Sequence, residues 1–293
     1  MTARRMARRQ RAITRALTSY YHPKGQLEPI RILVGTPTLG TVRIEWHEAM
    51  SALVAPCNWV LSRRSVINYP THVAQSILAA CVLREGYRAL LLVEDDNKPP
   101  PDLLVKMDQW LTRMERGLER PTSRVGTAPP VVSGLYYLKG SFARDLGPEP
   151  LVYRGSGTRC WYPKSSTNPT GWTPGSVLWV DGVPTGCVLL HRRLLQAFAD
   201  EPDIPTVTLP GIPFPVPLIF ERPAGVFTTP EGSLAGYGAT SDLWFCAEVI
   251  RRGLLKKAGW PQFARRQYPF VIDASLQVGH LCRDTGFAYP HGA

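Results

Sequence analysis

No run of about eighteen consecutive apolar residues occurs in this chain, so no segment is expected to span a bilayer. The arginines near the N-terminus have no apolar stretch behind them, which argues against a secretory signal. Cysteine is sparse and scattered. Cys57, Cys81, Cys160, Cys187, Cys246 and Cys282 include no C-x-x-C pair, so the usual spacing of a zinc or redox site is missing. Most lie in apolar segments and read as small buried residues of a reducing compartment, here the cytoplasm. No internal repeat is evident.

Acids are also in short supply. The 23 Asp and Glu face 34 Lys and Arg, a formal net charge of +11 over 293 residues. An anionic partner such as nucleic acid, an acidic polymer or a nucleotide follows from that balance. The excess is uneven. Arg4, Arg5, Arg8, Arg9, Arg11, Arg15 and Lys24 supply seven positive charges within residues 1–27, where no acid occurs, leaving +4 for the remainder. Residues 1–20 favour a basic helix, a composition shared with mitochondrial transit peptides. The chain divides into this basic arm, 1–27, and one globular domain, 28–293.

The globular part alternates strands with helices. Ile30–Val34 reads as a strand ending at Gly35-Thr36-Pro37, and helices are expected over Ile44–Leu53 and Thr71–Glu85, the second stopped by Gly86. Ala89–Val93 reads as a fully buried strand with three acids at its end, Glu94, Asp95 and Asp96. Pro99-Pro100-Pro101 and Asp102 then open a helix to about Leu118. Further strands are expected at Val131–Tyr137, Val177–Val180, Cys187–Leu190 and Phe270–Asp273, with helices at Arg192–Phe198 and Asp242–Arg252. Residues 140–175 and 202–238 are rich in Pro, Gly or Ser and read as long loops. Such alternation implies an α/β fold with a mixed, mainly parallel sheet flanked by helices.

Adjacent acids at the end of a buried strand repel one another, and a divalent cation relieves that repulsion. Mg²⁺ or Mn²⁺ suits carboxylate oxygens and is usually shared with substrate phosphates. The alternative is a solvated acidic loop capping the next helix. Asp242, at a helix start, reads either as a first-turn acid or as a general base for an acceptor hydroxyl. His280 follows a strand and reads as a structural residue or as a ligand for metal or phosphate.

Together these segments resemble the GT-A glycosyltransferases, particularly family-2-like enzymes of bacteria and bacteriophages, over about residues 30–282. Leu90-Leu91-Leu92-Val93-Glu94-Asp95-Asp96 with Pro99-Pro100 is similar to the family's strand, D-x-D motif and following helix start. The resemblance implies a Rossmann-like GT-A fold, a nucleotide-sugar donor (a UDP-sugar) and a Mn²⁺ or Mg²⁺ cofactor. It makes Asp96 the principal metal ligand, with Glu94 and His280 completing the metal set and Asp95 and Glu94 near the ribose. Gly35-Thr36-Pro37 resembles the loop that holds base and ribose, which assigns Thr36 and Pro37 to the donor. Gly134, in Val132-Ser133-Gly134-Leu135-Tyr136, and Gly186, in Pro184-Thr185-Gly186-Cys187, are similar to donor- and acceptor-side strand glycines. Thr240-Ser241-Asp242-Leu243-Trp244-Phe245-Cys246 resembles the E-D-x-x-F-C segment and makes Asp242 the base of a single, inverting displacement.

The chain departs from the family at three places. Glu94 replaces the first aspartate, Ser241 stands where glutamate is usual, and Gln75-Ser76 lacks an Arg-Asn pair. Arg251, Arg252, Lys256, Lys257, Arg265 and Arg266 form an acid-free run that reads as a solvated face or as a DNA contact. Trp172, Trp179, Trp244 and Trp260 could offer stacking surfaces. The resemblance to phage enzymes, some of which glycosylate modified bases in DNA, implies a hydroxymethylated pyrimidine in phage DNA as one acceptor; a glycan, lipid-linked or protein acceptor is another. From other classes, a metal-dependent nuclease would need a second carboxylate cluster, which is not evident. A non-catalytic nucleic-acid-binding protein would have no use for the acid triplet.

Overall fold

The structure, a computed structural model, describes residues 29–139, 150–156, 159–161, 175–228, 234–238, 240–282 and 288–289. The basic arm, with its expected helix over 1–20, lies outside the described residues. Seven strands form the main sheet: β1 (Ile30–Thr38), β2 (Trp59–Ile67), β3 (Ala89–Val93), β5 (Val131–Leu135), β6 (Val177–Val180), β7 (Cys187–His191) and β8 (Phe270–Gln277). A two-residue strand, β4 (Asn97–Lys98), pairs instead with β9 (Gly279–Leu281), which in turn pairs with β10 (Ala288–Tyr289).

The main sheet runs β2-β1-β3-β7-β5-β8-β6. The pairs β2·β1, β1·β3 and β5·β8 are parallel, while β7 lies antiparallel to both β3 and β5, and β6 antiparallel to β8. Five strands thus share one direction, and helices flank the sheet. This is a mixed α/β architecture consistent with a Rossmann-like GT-A fold.

Every residue of β3, β5 and β7 is buried, including the polar Ser133 and His191, as expected in the middle of a sheet covered on both faces. The edge strand β2 is buried only at Trp59 and Val66 and carries Arg63 and Arg64. Its polar pattern hides it from a reading based on apolar runs, and its edge position is the reason for that pattern.

The helices are α1 (Ile44–Ser51), α2 (Thr71–Glu85), α3 (Leu103–Glu119), α4 (Arg192–Ala199) and α5 (Ser241–Arg251), followed by single turns α6 (Leu254–Lys257) and α7 (Pro261–Ala264). In α2, Ala74–Val82 is buried without a break, because the helix has the sheet on one side and other elements around it. It stops at Gly86, left-handed at φ 73°, whose N–H bonds Val82 O. In α3 the apolar stripe Leu103, Met107, Trp110, Leu111 and Met114 faces the core. Two buried indoles anchor the helix: Trp59 Nε1 donates to Asp108 at 2.7 Å, and Trp110 Nε1 to Asp273 at 2.7 Å.

The expected loop 202–238 is partly built. It contains hairpins pairing Thr206–Val207 with Val216–Pro217 and Ala224–Thr228 with Leu234–Gly238. Ile219 and Phe220 are wholly buried, and Phe220 stacks on Phe245 at 4.6 Å. Proline suits such short edge strands, where few backbone N–H groups need partners.

Candidate active site

Strands β1 and β3 run out side by side, with Gly35 opposite Leu92. Their C-terminal ends deliver Thr36–Thr38 and Glu94–Asp96 to the same edge of the sheet, where open α/β sheets bind ligands. The acidic turn is fixed through its backbone. Glu94 N–H donates to Gly186 O at 2.9 Å, Asn97 N–H closes onto Glu94 O at 3.0 Å, and Trp46 of α1 donates Nε1 to Glu94 O at 2.9 Å. Gly186 has to be glycine: a Cβ there would lie 2.5 Å from Tyr136 Oη and 2.6 Å from Asn97 Nδ2. Its N–H donates to Tyr136 Oη at 2.8 Å.

The site is bound together by a buried polar residue in α2. Gln75 Nε2 donates to Thr185 Oγ1 at 2.8 Å and to Glu94 Oε1 at 3.3 Å, while its Oε1 accepts from Ser241 Oγ at 3.0 Å. Residues from α2, the end of β3, the turn before β7 and the start of α5 meet at this one amide. The same convergence brings Asp242 within electrostatic reach of Glu94.

The acids differ in environment. Burial, then the charges of Asp96, Asp242 and Asp95, push Glu94 up to about 8, so it holds a proton at neutral pH. Burial also raises Asp242, against hydrogen bonds from Thr240 and from the backbone of Leu243 and Thr185. Burial would raise Asp96 too, but the His280 and Lys139 contacts outweigh it and hold the carboxyl well below the usual range. Lys139, just beyond β5, sets its ammonium directly on Asp96 Oδ2. Asn97 Nδ2 donates to Oδ1 at 2.9 Å. His280 lies with Nε2 3.6 Å from Oδ2, its ring oriented by an Nδ1–H bond to Tyr137 O at 2.7 Å and edge-on to Tyr136.

A cleft of about 100 Å³ opens between Pro37, Thr38, Tyr69 and Thr71 on one side and Glu94, Asp95 and Asp96 on the other. That volume is below the several hundred Å³ of a typical small-molecule site. Tyr69 is tied to the 205–217 segment through its hydroxyl on Pro210 O.

Of the residues singled out from sequence, Glu94, Asp95, Asp96, Asp242, Gly186 and His280 gather here, and Pro37 lines the cleft. Thr36 is buried within β1. Gly134 lies inside the sheet, where a Cβ would meet Val278 at 2.8 Å; its role in this structure is to admit that side chain.

Of the expected metal set, Asp96 and His280 stand 3.6 Å apart, and Glu94 lies in the same turn as Asp96. Among the described residues no group of three His, Cys, Asp or Glu side chains is arranged to hold a cation. Glu94 faces the Gln75 amide, and Asp96 Oδ2 already carries an ammonium. The donor set as arranged does not fit a resident metal ion.

Sequence reasoning passed over Gln75 as a mere departure and did not single out Lys139, Tyr136 or Thr185. Gln75-Ser76 inside an otherwise apolar, all-buried helix is a signal that could have been used, since a buried amide must find partners. Nothing local marks Lys139.

The basic run at 251–266 changes character on folding. Arg251 and Arg252 pair with Glu248 one helical turn earlier, Arg252 also with the distant Asp203, and Lys257 with the distant Glu201 at 2.6 Å, so three of the six cations have acid partners. Arg266 covers Trp179 at 3.4 Å. Arg265 and Arg266 precede the N-terminal end of β8, which is parallel to β3, so they stand at the end of the sheet opposite the acids. Trp260 is wholly buried, Trp179 stacks on Phe263 and Trp244 packs on Phe198, while Trp172 lies outside the described residues.

No protein-family model matches the chain, and no curated protein matches it. Among solved structures, one described as "Crystal Structure of A197 from STIV" is similar over 86% of this chain and 86% of that chain, with 16% sequence identity and a TM-score of 0.42. Among the described residues no helix is long and apolar enough to cross a membrane.

Proposed function

We propose that this chain is a glycosyltransferase that moves a sugar from a nucleotide-sugar donor, a UDP-sugar in the first instance, to an acceptor hydroxyl. One observation carries the reading: the strand-end acids Glu94–Asp96 and the helix-start Asp242 share one cluster at the carboxyl edge of the parallel strands, bridged by Gln75. Pro37, which the sequence resemblance assigns to the nucleoside, lines the adjoining cleft beside Thr38, whereas Thr36 is buried in β1.

In the proposed reaction the acceptor oxygen attacks the anomeric carbon while its proton passes to a carboxylate oxygen of Asp242. The bond from that carbon to the diphosphate oxygen breaks, and the nucleoside diphosphate leaves with the electron pair. One displacement inverts the anomeric centre. The raised affinity of Asp242 for a proton suits a general base better than that of an ordinary exposed aspartate.

A hydroxymethylated pyrimidine in DNA as acceptor rests on the basic arm 1–27, because Arg251, Arg252 and Lys257 are paired with acids and Arg265 and Arg266 stand at the end of the sheet opposite the acid triplet. The reading is tested by thermal shift and donor hydrolysis over a panel of nucleotide sugars, each with Mn²⁺ and with chelator. Stabilisation and slow hydrolysis of one donor are expected; no response to any donor in either condition would remove the proposal.

A further inference from the structure

We propose that Lys139 is the resident cation of this site, binding the diphosphate of the donor in the place where the acid triplet would otherwise call for a metal ion. The inference rests on the glycosyl-transfer reading and deepens it by naming what meets the leaving group. Asp96 holds the ammonium through Oδ2, with its other oxygen occupied by Asn97 Nδ2. An ammonium has three N–H donors, so two remain after the bond to Asp96. The Lys139 side chain keeps 30% of its surface exposed and Asp96 17%, so the cation is anchored yet still open to a ligand. Asp96 itself forms part of the cleft wall beside Thr38 and Thr71.

The neighbours support the same assignment. His280 spends Nδ1–H on Tyr137 O, which sets its ring beside Asp96 with Nε2 3.6 Å from Oδ2. Glu94, the acid that a metal would need as a further ligand, is engaged with Gln75 instead. Asp96 is thus a positioning residue and Lys139 the group that touches substrate. As the anomeric C–O bond breaks, charge grows on the diphosphate oxygen, and a fixed ammonium stabilises it without a proton leaving the lysine. The site would accept a nucleoside diphosphate or its sugar ester, with the diphosphate as the recognised element.

The full chain, stripped of metal with chelator, is to be titrated with nucleoside diphosphates by calorimetry, and its donor hydrolysis measured, for wild type, Lys139→Met and Lys139→Arg. Melting curves establish that each variant is folded. The wild type is expected to bind and hydrolyse within about twofold of its Mn²⁺-supplemented values. Lys139→Met should lose on the order of 10²-fold in hydrolysis, the effect of deleting one fixed charge-stabilising donor, and bind the diphosphate more weakly. Lys139→Arg should retain most of both. Binding that requires Mn²⁺ in the wild type, or a Lys139→Met protein that binds and turns over like wild type, would overturn the assignment while leaving glycosyl transfer standing. No binding of any nucleotide under either condition would overturn both.

Discussion

Ser241 Oγ donates to Gln75 Oε1 at 3.0 Å across 166 positions of sequence, and this bond joins the start of α5 to the middle of α2. Because Gln75 also reaches Glu94 and Thr185, the side chain that ties the start of α5 to the acid triplet is a buried amide in α2. Removing it should therefore disturb geometry and stability together. Gln75→Leu leaves the Thr185 and Ser241 hydroxyls and Glu94 without their partner, at a cost of about 1–3 kcal/mol. Urea unfolding of the variant checks the magnitude, and donor hydrolysis should fall with it.

Asp242→Asn keeps the shape of the side chain and removes the proton acceptor. Transfer should fall by about 10²–10⁴-fold, the usual contribution of a general base, while nucleotide binding stays within twofold. A variant that transfers at the wild-type rate would exclude Asp242 as the base. In the wild type, the rate should rise with pH through an apparent pKa above the ordinary aspartate range, because burial raises this carboxyl.

Glu94 imposes a pH dependence on stability. Its affinity for protons is raised from 4.5 to about 8 on folding, so the native protein retains a proton that the unfolded chain releases. The stability this contributes is full below about pH 4.5 and is lost as pH rises through about 8. Glu94→Gln, which stays neutral, should melt higher than wild type at pH 9, by roughly a few °C, and lose that advantage near pH 5. Equal melting differences at both values would show that Glu94 ionises normally.

Gly186→Ala tests the close approach between the turn before β7 and the acidic turn. Its Cβ would sit 2.5 Å from Tyr136 Oη, forcing apart the residues around Glu94 and Asn97. Overpacking of this kind costs about 1–3 kcal/mol. Gly134→Ala presses on Val278 inside the sheet instead, away from the acids. Both variants should be destabilised in thermal melts, but only Gly186→Ala should lose nucleotide binding beyond its loss of folded protein.

If DNA is the acceptor, duplex binding should weaken steeply with salt, and deleting residues 1–27 should flatten that slope by removing seven cations. Replacing Arg251 and Lys257, which are paired with Glu248 and Glu201, should change the slope little. Salt titrations of fluorescent duplexes distinguish the two, and no binding at low salt would remove DNA as acceptor.

What could be read along the chain was whatever depends on neighbours in sequence. The apolar run Ala89–Val93, the stop at Gly86, the helix opened by Pro99–Asp102 and the acids at a strand end follow from local pattern and backbone chemistry, and all appear where expected. Strand β2 escaped because its polar pattern reflects an edge position that only the assembled sheet creates. Charge was the least legible property. A run without acids at 251–266 acquired Glu201, Asp203 and Glu248 through folding, and an acid triplet that asks for a cation acquired Lys139 from 43 positions away. Electrostatic energy depends on distance in space and on burial, neither of which is written in the order of residues. The sequence by itself determined which groups were available for chemistry. The tertiary structure decided which of them met: a lysine at Asp96, an amide at Glu94, and Asp242 within electrostatic reach of Glu94.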